Sequence, residues 1–182
     1  NGEWTVADGA TYETPNFGWS DGIGTISERA GSIDFTGSIE FTGHGGILDT
    51  TVANPTLVFD GGTTARLLLD VAGTTQQGAA IDEKGVDFAL IDISGADYGD
   101  GIVSVMDAPT TLTEEGSTAF GTYEAGEPFD AITAEFAVDP DCLVEPAVGP
   151  SEPVLWAGAV ALVAALGIAL VAVMRRRPPT DD

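Results

Sequence analysis

Residues Ser32 to Gly43 alternate regularly between apolar and polar side chains. The apolar positions are Ile33, Phe35, Ile39 and Phe41, and the positions between them are filled mainly by serine, threonine, aspartate and glutamate. Because successive side chains of a strand point to opposite faces, a period of two over this length is typical of a half-buried β-strand or a tight pair of strands. Gly37 interrupts the run and predicts a bulge or bend.

Further short apolar runs follow along residues 1–138, separated by residues that favour turns. The predicted strands are Thr56–Phe59, Arg66–Val71, Val86–Ile93, Ile102–Met106 and Ile132–Val138. The turn signals are Asn54-Pro55, Asp60-Gly61-Gly62, Ala72-Gly73 and Ser94-Gly95. A short helical turn is predicted around Leu112–Phe120. The pattern as a whole predicts a mainly β fold, an antiparallel sandwich or barrel, and we expect a β-sandwich-like domain.

The pattern changes at Val154, where 21 residues without a charge run to Met174. As a helix they would be roughly 31 Å long, which matches the ~30 Å hydrocarbon core of a bilayer. Three arginines, 175–177, follow at once, as expected at the cytoplasmic end of a span. We therefore predict a single-pass plasma-membrane protein with an extracellular domain (1–138), a transmembrane helix (154–174) and a cytoplasmic tail (175–182). Residues 139–153 contain four prolines and are expected to form a semi-stiff stalk.

Composition narrows the range of functions. The chain has 29 acidic and 6 basic residues and a net charge of −23, so nucleic acid would be repelled and is not an expected partner. Its single cysteine excludes an internal disulfide, and one cysteine with one histidine excludes a zinc cluster of such ligands. A histidine-dependent triad would have to use His44, and no nucleophile motif accompanies it. We therefore predict that the chain is not an enzyme.

Three segments contain candidate chemistry. His44 lies between glycines in Thr42–Gly46, where the backbone is free to leave the strand and present the imidazole; a loop histidine without a function is the alternative. Phe120 and Tyr123 are either strand-end aromatics or the wall of a pocket for a flat ligand. Asp92, Asp97 and Asp100 carry oxygen ligands suited to Ca²⁺, but their spacing departs from an EF-hand, and a solvated acidic loop is the expected interpretation.

The segment around His44 resembles the HtaA-type haem-binding domain of actinobacterial cell-surface proteins. The family pattern is a strand, then Phe-x-Gly-His-x-Gly-x-Leu, then a strand that ends in Asn-Pro. The matching residues are Phe41, Gly43, His44, Gly46, Leu48, Asn54 and Pro55. Downstream, residues 111–113, Ala119-Phe120 and 123–126 resemble the closing segment of the family. The likeness covers roughly residues 4–138.

This resemblance implies capture of ferric haem for iron acquisition. Members bind the iron through a tyrosine, supported by a histidine and by aromatic residues near the ring; a phenolate is a hard donor that suits Fe(III). By motif, His44 matches the histidine, and Phe120 and Tyr123 fall in the segment that supplies pocket aromatics. The resemblance places the axial tyrosine upstream of the stretch Trp4–Ala10, so we expect it to precede residue 1. Tyr12 is the nearest tyrosine that would take its place.

The function expected from these observations is a membrane-anchored module that binds haem at the cell surface and passes it on. Its expected partners are haem or haemoproteins, other haem-binding surface proteins or a haem permease, and the lipid bilayer through the C-terminal helix. The alternative is an acidic β-sandwich adhesin or stalk domain that binds no haem and is stabilised by Ca²⁺.

Overall fold

A computed structural model of the protein describes residues 2–43, 45–74, 78–99, 101–121 and 123–138. Within these ranges, no helix is long and apolar enough to cross a membrane. The predicted stalk, membrane span and cytoplasmic tail lie outside the described residues, and so does His44.

The described part of the chain contains twelve strands and one short helix. The elements are β1 (Glu3–Ala7), β2 (Ala10–Glu13), β3 (Asn16–Trp19), β4 (Ile23–Ser27), β5 (Ala30–Asp34), β6 (Ser38–Gly43), β7 (Leu48–Asp60), β8 (Thr64–Thr74), β9 (Ala80–Asp92), β10 (Asp97–Gly99), β11 (Ile102–Leu112), α1 (Glu114–Phe120) and β12 (Pro128–Ala137). Ten of the strands form one antiparallel sheet, and β2 and β3 form a separate hairpin. The predicted mainly β, antiparallel fold is confirmed. The strands belong to one curled sheet rather than to two stacked ones.

The long strand β7 organises the sheet. One of its edges pairs with β8 along nearly its whole length, while the other pairs first with β6 and then with β5. β5 and β6 therefore lie end to end along the same edge of β7, and the bend between them lies at Gly37, whose φ is +137°. The alternating segment Ser32–Gly43 is thus a pair of strands bent at this glycine, as predicted. β1 pairs with β6, and β4 pairs with β5.

Two of the predicted turns lie inside strands instead. Asn54-Pro55 is part of β7, where Asn54 has a φ of +50° and the register with β8 shifts, so this pair forms a bulge. Gly73 is part of β8; it has a φ of +120°, and a Cβ there would overlap the carbonyl oxygen of Asp49. In both cases a residue with positive φ lies within a strand that continues to pair with its neighbours. The turns at Gly61-Gly62 and Ser94-Gly95 do separate strands.

The curled sheet encloses two apolar clusters, one towards each end of the long strands β7 to β9. The first cluster contains Ile39, Val52, Val71, Phe88 and Leu112, and the β2–β3 hairpin and α1 both pack on it. The second contains Ile33, Phe59, Ile91, Val103 and Val105, with β4, β5 and β12 around it. Leu67 packs against both clusters. The alternation predicted for residues 32–43 is confirmed, because Ile33 and Ile39 are buried, but these two residues belong to different clusters.

Candidate functional site

Helix α1 lies where a short helical turn was predicted, around Leu112–Phe120, and it is bounded by Thr113 and Gly121. Thr113 is its N-cap: the hydroxyl accepts a hydrogen bond from the backbone N–H of Gly116 at 3.0 Å and also donates to the carbonyl of Asp87 in β9. Gly121 ends the helix in the left-handed conformation, with a φ of +70°. The side chain of Thr113 therefore fixes the start of α1 and also ties the helix to the sheet.

An aromatic cluster lies over the first apolar core, at the end of α1. Phe120 lies 5.4 Å from Phe88 and 6.0 Å from both Phe129 and Tyr123, measured between ring centroids. Tyr123 also lies 6.0 Å from Phe129. We call these four residues the Tyr123 cluster. Phe88 is buried, whereas the Tyr123 side chain is 41% exposed, so the cluster extends from the core to the surface.

A second aromatic cluster lies on the same core beneath the β2–β3 hairpin. Tyr12 and Phe17 face each other across the hairpin with ring centroids 4.9 Å apart. Trp4 of β1 lies 5.0 Å from Tyr12, and Phe41 of β6 lies 5.5 Å from Phe17. These four residues form the Tyr12 cluster. Trp4 is 46% exposed, which leaves one side of the cluster open to solvent.

The Tyr12 cluster adjoins the turn that follows β6. Phe41 is paired with Trp4 in the sheet and stands two residues before Gly43, the last residue of β6. Beyond residue 44, Gly45 and Gly46 have φ values of +70° and +92°, and the N–H of Gly46 donates to the carbonyl of Gly43 at 2.9 Å. The bond between Gly46 and Gly43 therefore closes a tight turn directly after β6.

The Tyr12 cluster is an apolar contact surface with one phenol, and its rings are tilted or edge-on to one another. Among the described residues, none makes a hydrogen bond with the Tyr12 hydroxyl. The charged side chains on the strands that build the cluster are acidic, namely Glu3, Glu13 and Glu40. A planar ligand would gain ring stacking and burial here, and an anionic substituent would be favoured on the solvent side, away from these carboxylates.

The structure divides the predicted site residues between the two clusters. Tyr12 belongs to one, Phe120 and Tyr123 belong to the other, and both clusters pack on the same apolar core. Sequence reasoning did not identify Trp4, Phe17 or Phe41 as neighbours of Tyr12. The signal available for Phe17 was the Thr14-Pro15 pair, since Pro in a short segment between apolar residues favours a turn that would place Tyr12 and Phe17 opposite each other.

The acidic segment after β9 is organised by its own backbone. The carboxylate of Asp92 accepts a hydrogen bond from the N–H of Ser94 at 2.9 Å, and bonds from Ser94 lower the pKa of the Asp92 carboxyl from its ordinary value of 3.8. Within the part of the chain that the structure describes, no three acidic, histidine or cysteine side chains converge on a common point where a metal ion could bind. Asp100 lies outside that part.

Taken together, the fold and the two clusters define a mainly β domain, in which aromatic side chains cover one end of a curled sheet. The HtaA family model matches residues 1–135, and the chain belongs to this family. The family is one of haem-binding, non-enzymatic modules. None of the curated proteins compared with the chain matches it.

Solved structures of HtaA domains share the fold. A domain-swapped dimer of a histidine-to-alanine variant of the C-terminal domain of HtaA from Corynebacterium glutamicum is 31% identical, with a TM-score of 0.68 over 76% of this chain and 84% of that one. The C-terminal domain of the same protein is also 31% identical, with a TM-score of 0.64 over 74% and 81% of the two chains. Its N-terminal domain is 30% identical, with a TM-score of 0.63 over 76% and 85%.

Proposed function

We propose that this protein captures ferric haem at the cell surface for iron acquisition and passes it to a further haem-binding protein or a permease. The observation that carries the proposal is the Tyr12 cluster. It gathers four aromatic rings from three parts of the chain, one of them the strand that directly precedes His44 in the sequence, in a member of a haem-binding family. A porphyrin is flat and largely apolar, so an open set of rings on a rigid sheet suits it.

In this proposal the rings and the two candidate donors have different roles. Trp4 and Phe41 contact the porphyrin plane, and His44 supports an oxygen donor on the iron. Tyr12 provides a phenol in the cluster itself, and a phenolate is a hard ligand that favours Fe(III). Phe120 and Tyr123 form a second aromatic surface on the same core. The haem propionates face solvent, because the nearby strands carry carboxylates.

The experiment is an absorbance titration of the full chain, in detergent, with ferric haem. We expect a saturable Soret band. Trp4→Ala should weaken affinity about tenfold or more, since loss of one ring contact and its buried area is worth roughly 1–2 kcal/mol. Tyr12→Phe keeps the ring and removes the hydroxyl, so loss of a tyrosinate charge-transfer band in this variant assigns Tyr12 as the iron ligand. His44→Ala should reduce the intensity of the charge-transfer band or weaken the affinity for haem.

The matched control is Tyr98→Phe. The Tyr98 ring packs on the second apolar cluster, with Arg29 4.6 Å above its centroid, and it has no part in the proposed site. This variant should bind haem as the unmodified chain does. If no saturable Soret band forms, or if Trp4→Ala and Tyr98→Phe bind haem equally well, the proposal is wrong.

We also propose that residues 154–174 anchor the protein in the plasma membrane with the domain outside. The supporting observation is the uncharged length of this segment and the three arginines after it. The expected result is that the full chain sediments with membranes and that added protease removes the domain from intact cells. Release of the full chain by an alkaline carbonate wash would contradict membrane insertion.

A further inference from the structure

The curled sheet is not closed around its second apolar cluster. The strands β4, β5, β7, β8, β9, β11 and β12 surround this cluster in that order, and Phe59 of β7 contacts Phe136 of β12 across it, with ring centroids 5.6 Å apart. Among the described residues, β4 pairs only with β5, and β12 pairs only with β11. Each of these two strands therefore has one edge without a partner strand.

An open cleft of about 370 Å³ lies between these two edges. We call it the seam. One wall is formed by Gly24 and Ile26 of β4, and the other by Glu135 and Ala137 of β12. Trp19, at the end of β3, also lines the seam.

The hydrogen-bond register shows which backbone groups face the seam. The N–H of Val138 donates to Gly101, on the β11 side, so by strand alternation the N–H and C=O groups of Glu135 and Ala137 point away from β11. In the same way, the N–H of Phe35 donates to Pro55, on the β7 side. The backbone N–H and C=O groups of Asp34 and Ser32 therefore point towards β4.

On β4, Ile23 and Thr25 are paired with Asp34 and Ser32, so their backbone groups bond to β5. The groups of Gly24 and Ile26 consequently point in the opposite direction, into the seam. Two rows of backbone donors and acceptors thus border one cleft, one row on each side. This arrangement is what an added β-strand needs on both of its edges.

The walls of the seam indicate the chemistry of such a strand. Ile26, Ile33 and Phe136 give it an apolar floor, and the two charged residues that line it, Asp21 and Glu135, are both acidic. The indole N–H of Trp19 is shielded from solvent and has no acceptor among the described residues. An unpaired buried donor costs on the order of 1–3 kcal/mol, so a carbonyl brought to this wall would be stabilised.

We propose that the seam binds an extended, cationic segment of a partner protein, which adds as a β-strand between β4 and β12. Alternate side chains of that segment pack on the apolar floor, and basic side chains at the rim pair with Asp21 and Glu135. The site is separate from the Tyr12 cluster, and its occupancy does not depend on haem.

The test is calorimetric titration of the full chain, in detergent, with a short capped peptide of alternating lysine and valine. Because the chain carries a net charge of −23, a cationic peptide will also be attracted without forming a strand. The matched control peptide therefore has the same sequence but N-methylated valines, so that charge and side chains are kept and backbone donors are removed. We expect saturable binding of the first peptide and about tenfold weaker binding of the second.

Variants of β12 locate the site. Ala137→Pro removes an N–H that faces the seam and spares the bonds to β11, so it should weaken binding about tenfold, whereas Ala137→Ser should have no effect. Independently of whether the proline variant folds, hydrogen exchange at Glu135 and Ala137 of the unmodified chain should slow when the lysine–valine peptide is added. Equal affinity for the two peptides, absence of binding, or unchanged exchange at these two residues would overturn the proposal.

Discussion

Replacing Gly116 by alanine tests how closely α1 is held against the sheet. Glycine within a helix is normally destabilising, and replacing an exposed one by alanine stabilises the protein by roughly 1 kcal/mol. Gly116, however, is buried against β9. A Cβ at this position would overlap the carbonyl oxygen of Phe88 and lie 2.9 Å from its carbonyl carbon and 3.1 Å from a methyl carbon of Leu112.

The overlap can be relieved only if α1 moves away from β9, and the structure shows what that movement disturbs. The Phe88 carbonyl accepts hydrogen bonds from the backbone N–H of Thr113 at 3.1 Å and from its hydroxyl at 3.3 Å. Overpacking costs about 1–3 kcal/mol, and weakening these bonds costs about 1 kcal/mol more. After the gain in helix propensity of about 1 kcal/mol, the expected net loss is about 2 kcal/mol.

Thermal and urea unfolding of the full chain, followed by circular dichroism, measure this loss. For a domain of this size, 2 kcal/mol corresponds to a fall in Tm of roughly 6 °C. The matched control is Thr118→Ala in the same helix; Thr118 is exposed, so its replacement should change the free energy of unfolding by less than about 0.5 kcal/mol. A Tm for Gly116→Ala equal to or above that of the unmodified chain would refute the close packing of α1 on β9.

Three further predictions concern stability. Ile39→Ala should lower the free energy of unfolding, measured in urea, by about 2–5 kcal/mol, because Ile39 is 2% exposed. Ile23 is 79% exposed, so Ile23→Ala should lower it by less than about 0.5 kcal/mol. Similar losses for the two variants would contradict the assigned core. Thr113→Val removes the N-cap hydroxyl and should lower the free energy of unfolding by about 0.5–2 kcal/mol, whereas Thr113→Ser keeps a hydroxyl and should retain most of this stability. If the serine variant is as unstable as the valine variant, the hydroxyl does not contribute the stability. The pKa of Asp92 is lower in the folded chain than its ordinary value of 3.8, so its contribution to stability is present above that value and is lost as the pH falls through the lowered pKa. Asp92→Asn keeps the acceptor for Ser94 without the titration, and its stability should therefore fall less steeply below about pH 4; parallel curves for the two chains would rule this contribution out.

The local features of this domain could be predicted because they depend on residues near one another in the chain. The alternation in Ser32–Gly43 identifies which side chains are buried, whatever strands lie alongside, and Gly37 is a bend because it has no Cβ. The short helix that starts after Thr113 likewise depends on its own cap. The same local signals were misleading at Asn54-Pro55 and Gly73, because a residue that favours a turn also tolerates positive φ inside a paired strand, with a bulge at Asn54 and without one at Gly73.

The candidate site depended on contacts that no local pattern contains. The HtaA-like motif drew attention to His44 and to the aromatics at and after the end of α1. Trp4 is paired with Phe41 only because β1 pairs with β6. Tyr12 contacts Trp4, and Phe17 contacts Phe41, only because the hairpin packs on that face. An alternation with a period of two shows which side of the sheet a side chain points to, but it does not show which strand lies alongside. Any strand with a matching apolar face could pair there.

The sequence by itself therefore determined the class of fold, the acidic character of the domain, the glycine-flanked histidine and the family to which these belong. The tertiary structure decided that β7 pairs with both β5 and β6, that the apolar residues form two clusters, and that Tyr12 and Tyr123 lie in separate aromatic groups on one core. It also decided that β4 and β12 border an open seam. The physical reason is that strand order and sheet closure follow from how the whole set of apolar faces is buried together, which no single segment specifies.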